Sequence, residues 1–128
     1  IAPIHAKEAA TETISQLFNQ LGQILVTDEK HLTAGTALAS CGIAYAMRYI
    51  RASTEGGVEL GFKAKEAEKI VLQTLKGAVE LLCSNDLHPE EEIDKVTTPG
   101  GMTIKGLNEM EHAGFTSAVI KGLKACLQ

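Results

Sequence analysis

The chain has 128 residues and a formal net charge of −4; 45% of its residues are hydrophobic and 22% are charged. This composition is typical of a globular domain and argues against intrinsic disorder. The acidic balance and the lack of a basic run argue against a nucleic-acid partner. No apolar stretch approaches the roughly 18 residues that a membrane-spanning helix needs, so we expect no membrane segment. Aromatic residues are only 4%, which predicts a core of Ala, Leu, Ile and Val.

The spacing of the cysteines and histidines predicts a cytoplasmic protein without a metal centre. Cys41, Cys83 and Cys126 form no C-x-x-C pair and lie in apolar helical patterns, which favours buried, reduced thiols. The four histidines lie far apart, so we assign no metal site. No charged segment followed by an apolar run stands at the amino terminus, so we expect no secretory signal. The chain begins with Ile1 and not with Met, and we expect it to be part of a longer protein.

The first predicted elements are one helix and one strand. Apolar residues at helical spacing predict an amphipathic helix over Glu8–Gln20, with Gly22 as its stop. The β-branched run Gln23–Thr27, bounded by Gly22 and Asp28, predicts a strand. No second strand is predicted, so this strand has to pair with a sheet outside the chain or with a copy of itself.

From Asp28 onward the pattern is helical. Asp28 is a predicted helix cap, and His31–Leu60 is dense in small residues, which lets helix backbones approach closely. Gly56 and Gly57 either break this helix or lie inside it, and Gly61 is the better stop.

Further helices follow. A wide apolar stripe predicts a helix over Lys63–Ser84, and Pro89 begins a short acidic helix that continues over Glu90–Lys95. The next helix is predicted to end at Gly114, and Thr116 to cap a last one. The sequence therefore predicts a mainly α domain of five or six helices with one strand.

The segment Thr97–Thr103 is the best candidate for a binding site. Thr98 is a favourable N-cap, and Pro99 fits the first helical position, where a missing N–H costs nothing. The amides then left without a partner at the helix start are those of Gly100, Gly101, Met102 and Thr103. Adjacent glycines allow close approach, and the helix dipole favours a carboxylate or phosphate there. The alternative is an ordinary capped helix after a turn.

This segment also resembles a family signature. The run Val96–Glu111 reads V-T-T-P-G-G-M-T followed by a short helix that ends in Glu, and it resembles the signature of pyrroline-5-carboxylate reductases. Gly114–Phe115 and the G-G-V-E-L-G run of Gly56–Gly61 resemble the family pattern as well. The likeness covers nearly the whole chain. Two departures are Ala39–Tyr45, A-S-C-G-I-A-Y where the family has S-G-S-G-P-A-Y, and Met102, where a small residue is usual.

The resemblance implies a mainly α helical-bundle dimerisation domain of the 6-phosphogluconate dehydrogenase C-terminal-like type. Residues 1–27 would be the last helix and strand of an otherwise absent Rossmann domain, and residues 28–128 the helical dimerisation and substrate-binding domain. The implied reaction reduces 1-pyrroline-5-carboxylate to L-proline in proline biosynthesis. NADPH or NADH would be bound by the absent domain, so this chain alone is expected to be inactive. The implied assembly is a homodimer with interleaved helices, with a higher oligomer of dimers as a further expectation.

By the same resemblance, the loop binds the substrate, and Thr103 is the catalytic residue that hydrogen-bonds the ring nitrogen. The other residues that would bind the substrate or line its pocket are Val96, Thr98, Gly100, Gly101, Met102 and Asp86. The alternative function is a non-catalytic helical dimerisation or interaction module, or a divergent relative that reduces another cyclic imine. The departures at 39–43 favour that alternative, and the intact loop favours the reductase.

Overall fold

The computed structural model describes residues 2–3, 8–85 and 87–127, and it is mainly α, as predicted. Its elements are β1 (Ala2–Pro3), α1 (Glu8–Phe18), β2 (Val26–Thr27), a 3-10 helix (Glu29–His31), α2 (Leu32–Thr36), a π-helical segment (Ala37–Cys41), α3 (Gly42–Glu59), α4 (Ala64–Asn85), α5 (Pro89–Lys95), α6 (Met102–His112) and α7 (Phe115–Ala125). The chain divides into two compact units. The first contains the described residues up to Ile43 together with the segment from Gly122, and the second is Ala44–Lys121.

The strand predicted over Gln23–Thr27 is shorter than expected and has a partner in this chain. β2 covers only its last two residues and pairs in parallel with β1, with Ala2 opposite Val26 and Pro3 opposite Thr27. The prediction that no partner lies within the chain is therefore wrong. Parallel neighbours need a crossover connection, and α1 lies in the connection between the two strands. A strand of two residues is too short to show alternation, which is why β1 has no sequence signal.

Asp28 caps the helical region, as predicted, although the first turn is a 3-10 helix. Its carboxylate accepts a hydrogen bond from the His31 amide at 3.2 Å, and Lys30 Nζ lies 3.2 Å from its other oxygen. α2 then continues through the π-helical segment Ala37–Cys41 into α3. The predicted small-residue helix therefore consists of three successive segments, which are α-helical, π-helical and again α-helical.

α3 ends at the predicted glycine stop. Gly61 has φ +102°, its amide donates to Val58 O at 2.9 Å, and the Phe62 amide donates to Gly57 O at 3.1 Å. This pair of bonds is the Schellman motif, which satisfies the last carbonyls of a helix. Gly56 and Gly57 lie inside α3 and do not break it.

Gly57 marks a close contact between α3 and α4. A Cβ atom placed on Gly57 would lie 2.7 Å from the Cβ of Ala67, and Ala67 is only 2% exposed. Because real Cβ atoms do not come this close, the contact has room for hydrogen at position 57 and for nothing larger. The two small residues therefore allow the helices to pack at this point.

The later helices start and stop largely where the sequence predicts. Pro89 occupies the first turn of α5, and Gly114, with φ +83°, follows the end of α6. The prediction that Thr116 caps the last helix is wrong. α7 begins at Phe115, and the Thr116 hydroxyl donates to Glu111 Oε2 at 2.9 Å. A glycine stop followed at once by a helix leaves no residue between them to serve as a separate cap.

One chain by itself buries very few apolar side chains. Among the residues whose burial is described, only Ala37 and Ala67 are buried. Large apolar side chains that remain more than half exposed include Leu17, Leu21, Leu38, Ile43, Met47, Leu60, Val79, Val96 and Met102. The predicted aliphatic core does not form within this single chain.

Candidate functional site

The loop between α5 and α6 is a tight turn that precedes the helix. The Gly101 amide donates to Thr98 O at 3.0 Å, which closes a turn with Pro99 in its second position. Gly100, in the third position, has φ +70°, a left-handed value that the third position of a type II turn requires and glycine readily adopts. The prediction that Thr98 caps the helix is wrong, because α6 begins at Met102 with Gly101 as its N-cap residue.

Gly101 is required by contact and not by its backbone angles. Its φ of −67° suits any residue, but a Cβ there would lie 2.5 Å from Thr98 Oγ1 and 3.0 Å from Thr98 O. The turn therefore folds back on itself so tightly that the Thr98 hydroxyl lies beside the N-cap residue of α6. A side chain at position 101 would push this hydroxyl away or open the turn.

The start of α6 presents open amide donors. Gly101 has no side chain with which to cap the helix, and the first turn contains no acidic residue. In the described part of the chain, the amides of Met102, Thr103 and Ile104 donate to no backbone carbonyl outside the helix. Such a helix start stabilises an anion by about 0.3–1 kcal/mol, and by up to ~2 kcal/mol when partly buried.

This set of donors differs from the predicted one. The Gly101 amide is used in the turn, Gly100 lies in that turn before the N-cap residue of the helix, and the Ile104 amide, which the sequence analysis did not include, joins those of Met102 and Thr103. The error follows from placing the helix start at Pro99. The signal that could have prevented it is Pro followed by Gly, the sequence of positions two and three in a type II turn.

Three of the predicted site residues lie within a few positions of this helix start in the sequence. Val96 follows the last turn of α5 and is 62% exposed, while Met102 is 90% exposed. Thr103 lies in the first turn of α6 and is also exposed, so its hydroxyl can meet a ligand. Exposed apolar side chains near open amides in the sequence are the kinds of group that suit a small ligand with both a carboxylate and a hydrocarbon ring.

Thr97 is a residue of this loop to which the sequence analysis gave no role. Its hydroxyl is half-buried and donates to Ile93 O at 2.7 Å, so it satisfies a carbonyl at the end of α5. A threonine four residues after the last apolar position of a helix is the available signal. Thr97 therefore ties the beginning of the loop to the last turn of α5.

The remaining predicted site residue, Asp86, lies outside the described residues. Over the described ranges, no three His, Cys, Asp or Glu side chains lie together in a group that could hold a metal ion. None of the helices in these ranges is long and apolar enough to cross a membrane.

Known proteins resemble this chain over most of its length. The family model described as pyrroline-5-carboxylate reductase dimerisation matches residues 29–128. The chain is 55% identical over 118 residues to pyrroline-5-carboxylate reductase 1 of Dictyostelium discoideum, covering 92% of this chain and 21% of the relative. It is 48% identical to pyrroline-5-carboxylate reductase 2 of the same organism, covering 92% of this chain and 40% of the relative. The chain therefore spans less than half of each relative.

A solved structure shows the same fold. The pyrroline carboxylate reductase of Plasmodium falciparum, crystallised with NADP bound, superposes with a TM-score of 0.89 at 28% identity, covering 98% of this chain and 48% of that one. The family model covers more than half of this chain, and both relatives are named pyrroline-5-carboxylate reductases. The chain thus belongs to the pyrroline-5-carboxylate reductase family, of which it represents the helical dimerisation region.

Proposed function

We propose that this chain is the substrate-binding and dimerisation part of a longer pyrroline-5-carboxylate reductase. The observation that carries the proposal is the open start of α6, a donor site for a carboxylate, within a chain that matches the family's dimerisation region. The whole reaction is the reduction of 1-pyrroline-5-carboxylate to L-proline in proline biosynthesis. The chain covers only part of its relatives, so the activity belongs to the longer protein.

NADPH or NADH would supply the hydride, and the sequence between β1 and α1 does not fit either cofactor. The connection from β1 to α1 covers residues 4–7, I-H-A-K, and contains no glycine. A dinucleotide site needs a glycine-rich turn between a strand and a helix, where the pyrophosphate meets the backbone. We propose that residues outside this chain hold the cofactor, and that residues 1–27 are the end of that nucleotide-binding domain.

The substrate carboxylate is proposed to accept hydrogen bonds from the amides of Met102, Thr103 and Ile104. Gly100 and Gly101 keep this approach open, because a side chain at either position would strain or crowd the turn. In the same proposal the Thr103 hydroxyl hydrogen-bonds the ring nitrogen. This holds the imine in one orientation while the hydride arrives.

Neighbouring side chains complete the proposed pocket. Val96 and Met102 cover the hydrocarbon part of the ring, and the Thr98 hydroxyl stands beside the carboxylate. That Asp86 supplies an acidic group near the site stays a prediction.

We propose a homodimer because a single chain buries very few of its described apolar side chains. A folded protein of 13.6 kDa exposes about 6,600 Å², whereas this chain exposes 10523 Å². The difference is roughly 3,900 Å² for each chain, so two copies would cover about 7,800 Å² together, well above the roughly 2,000 Å² at which obligate interfaces begin. A second copy that interleaves its helices with those of the first would bury the exposed apolar residues. A higher oligomer of such dimers is a further part of the proposal.

The compartment is proposed to be the cytoplasm. Cys41, Cys83 and Cys126 are all outside disulfides, which fits a reducing environment.

Steady-state kinetics of the full-length enzyme test the site. Thr103→Val removes the hydroxyl at nearly constant shape, and we expect kcat/KM to fall about tenfold to a hundredfold, the cost of one hydrogen bond to a charged group. Thr103→Ser keeps the hydroxyl and is the matched control, with kcat/KM within about threefold of the parent. Gly101→Val is expected to raise KM by crowding the turn. If Thr103→Val and Gly101→Val both keep the parent kcat/KM, the loop is only a turn before a helix.

The same experiments distinguish the proposed reductase from the alternative functions. If the full-length protein folds, dimerises and binds NADPH but reduces no cyclic imine, the chain is a helical interaction module. Reduction of a different cyclic imine in preference to 1-pyrroline-5-carboxylate would instead indicate a divergent relative.

A further inference from the structure

Thr97 lies where α5 ends and the candidate loop begins. α5 ends at Lys95, and no glycine stands between Lys95 and Gly100 to end the helix in the left-handed conformation that is common there. The carbonyl of Ile93 instead accepts two hydrogen bonds, one from the Val96 amide at 3.2 Å and a shorter one from the Thr97 hydroxyl at 2.7 Å. The Thr97 hydroxyl therefore helps to end α5 in place of a glycine stop.

The same hydrogen bond goes together with a particular exposure of the loop side chains. Thr97 is half-buried, whereas Val96 before it and Thr98 after it are both exposed. With the Thr97 side chain held against the last turn of α5, its two neighbours stay on the outer surface. These two neighbours are the side chains of this segment that the proposed pocket uses.

A second hydrogen bond connects this segment to the start of α6. Thr98, the residue after Thr97, accepts a hydrogen bond from the Gly101 amide at 3.0 Å, and Gly101 is the N-cap residue of α6. Pro99 lies between them and has a fixed φ, so the turn itself has little freedom. A backbone change at position 97 is therefore passed on to Thr98, whose hydroxyl lies beside the N-cap residue.

We propose that Thr97 is a positioning residue of the substrate site, which holds the loop in the conformation that admits the substrate carboxylate. The inference rests on the proposed function of this loop. The Thr97 hydroxyl is bonded to the Ile93 carbonyl and acts on the substrate only through Val96 and Thr98. Without it, the carbonyl keeps only the longer bond from the Val96 amide, and the loop samples orientations that do not match the substrate. Substrate binding should weaken, while the hydride-transfer step should change little.

Thr54 provides a matched control within the same chain. Its hydroxyl is also half-buried and donates to the carbonyl four residues earlier, Ile50 O, at 2.8 Å, but it lies inside α3. Thr54→Val and Thr97→Val therefore remove the same kind of hydrogen bond at nearly constant shape. A general loss of stability would affect both variants, whereas an effect on substrate binding should occur only at position 97.

The test is steady-state kinetics of the full-length enzyme with 1-pyrroline-5-carboxylate and NADPH, together with inhibition by L-proline. For Thr97→Val we expect the KM for the imine and the inhibition constant of L-proline to rise about threefold to tenfold, the effect of one uncharged hydrogen bond. The kcat and the KM for NADPH should stay within about twofold of the parent, because only binding common to ground state and transition state is lost. Thr97→Ser keeps the hydroxyl and should restore the parent constants, and Thr54→Val should not change them.

The proposal is overturned if Thr97→Val keeps the parent KM for the imine, if Thr97→Ser fails to restore it, or if Thr54→Val raises it equally. A parallel rise in the KM for NADPH has the same meaning. If Thr97→Val does not fold, Thr97→Ala is compared with Thr97→Ser, and equal KM values in that pair count against the proposal. Gly101→Val judges the proposed function separately. If Gly101→Val raises the KM and Thr97→Val does not, only the positioning role fails; if neither variant nor Thr103→Val changes the kinetics, both proposals fail.

Discussion

The contact between Gly57 and Ala67 predicts that one methyl group at position 57 destabilises the domain. In Gly57→Ala the new Cβ would lie 2.7 Å from the Ala67 Cβ. Carbon atoms pack at about 3.5–4.0 Å, so α3 and α4 have to separate by about 1 Å. Overpacking of this kind costs about 1–3 kcal/mol. The helical preference of Ala over Gly recovers about 0.5–1 kcal/mol, so the expected net loss is up to about 2.5 kcal/mol.

The neighbouring glycine provides the control. A Cβ on Gly56 meets nothing within 4 Å, so Gly56→Ala is expected to stabilise the domain by about 0.5–1 kcal/mol through the lower entropy of its unfolded chain. Each variant is measured by denaturant unfolding at one fixed protein concentration, because the stability of a dimer depends on concentration.

A double variant isolates the contact itself. In Gly57→Ala with Ala67→Gly, the opposing Cβ is gone and the nearest atom is the Cα of residue 67 at 3.7 Å, an ordinary contact distance. The two substitutions should therefore be coupled by about 1–3 kcal/mol in a double-mutant cycle. If Gly57→Ala is as stable as Gly56→Ala, or if the coupling is below about 0.5 kcal/mol, the close approach of the two helices does not exist in solution.

Three further predictions concern the turn, the assembly and the cofactor. Gly100→Ala should lower stability by about 1–3 kcal/mol in thermal unfolding because position 100 has φ +70°; Gly106→Ala, with open space around its Cβ inside α6, should not. Sedimentation velocity at low micromolar concentration should show this chain as a dimer; a stable, folded monomer would contradict the proposed interface. Calorimetry should show no micromolar binding of NADPH to this chain, and such binding would place the cofactor site within it.

Much of the local structure is predictable from the sequence because its causes lie within a few residues. Gly61 ends α3 because a left-handed residue satisfies the last carbonyls of a helix, and Pro89 starts α5 because its missing N–H is not needed there. The cap at Asp28 follows the same logic. For the candidate loop, the sequence predicted amides without partners at a helix start with Thr98 as its cap; the structure has the open start but no side-chain cap, and the binding role stays a prediction.

The details of the candidate site were less accessible. Placing the helix start at Pro99 assigned the Gly101 amide to the ligand, whereas the turn uses it. The short sequence fits a helix that starts at Pro99 as well as a turn that precedes a helix starting at Met102. The backbone conformation directly after α5 decides between the two. The support given by Thr97 to the Ile93 carbonyl is part of that choice, and it becomes visible only with coordinates.

The sequence by itself determined the mainly α character and most helix boundaries, because periodicity, caps and glycine stops are interactions between near neighbours. The likeness to the reductase family came from the resemblance of the run Val96–Glu111 to a family signature. Only the tertiary structure decided which distant residues meet: β1 with β2, and Gly57 with Ala67. Such pairs have no local sequence signal, because a short stretch of sequence does not show which distant part of the chain packs against it. The exposed apolar surface has the same origin, because an amphipathic pattern shows that a face must be covered but not whether its own chain covers it.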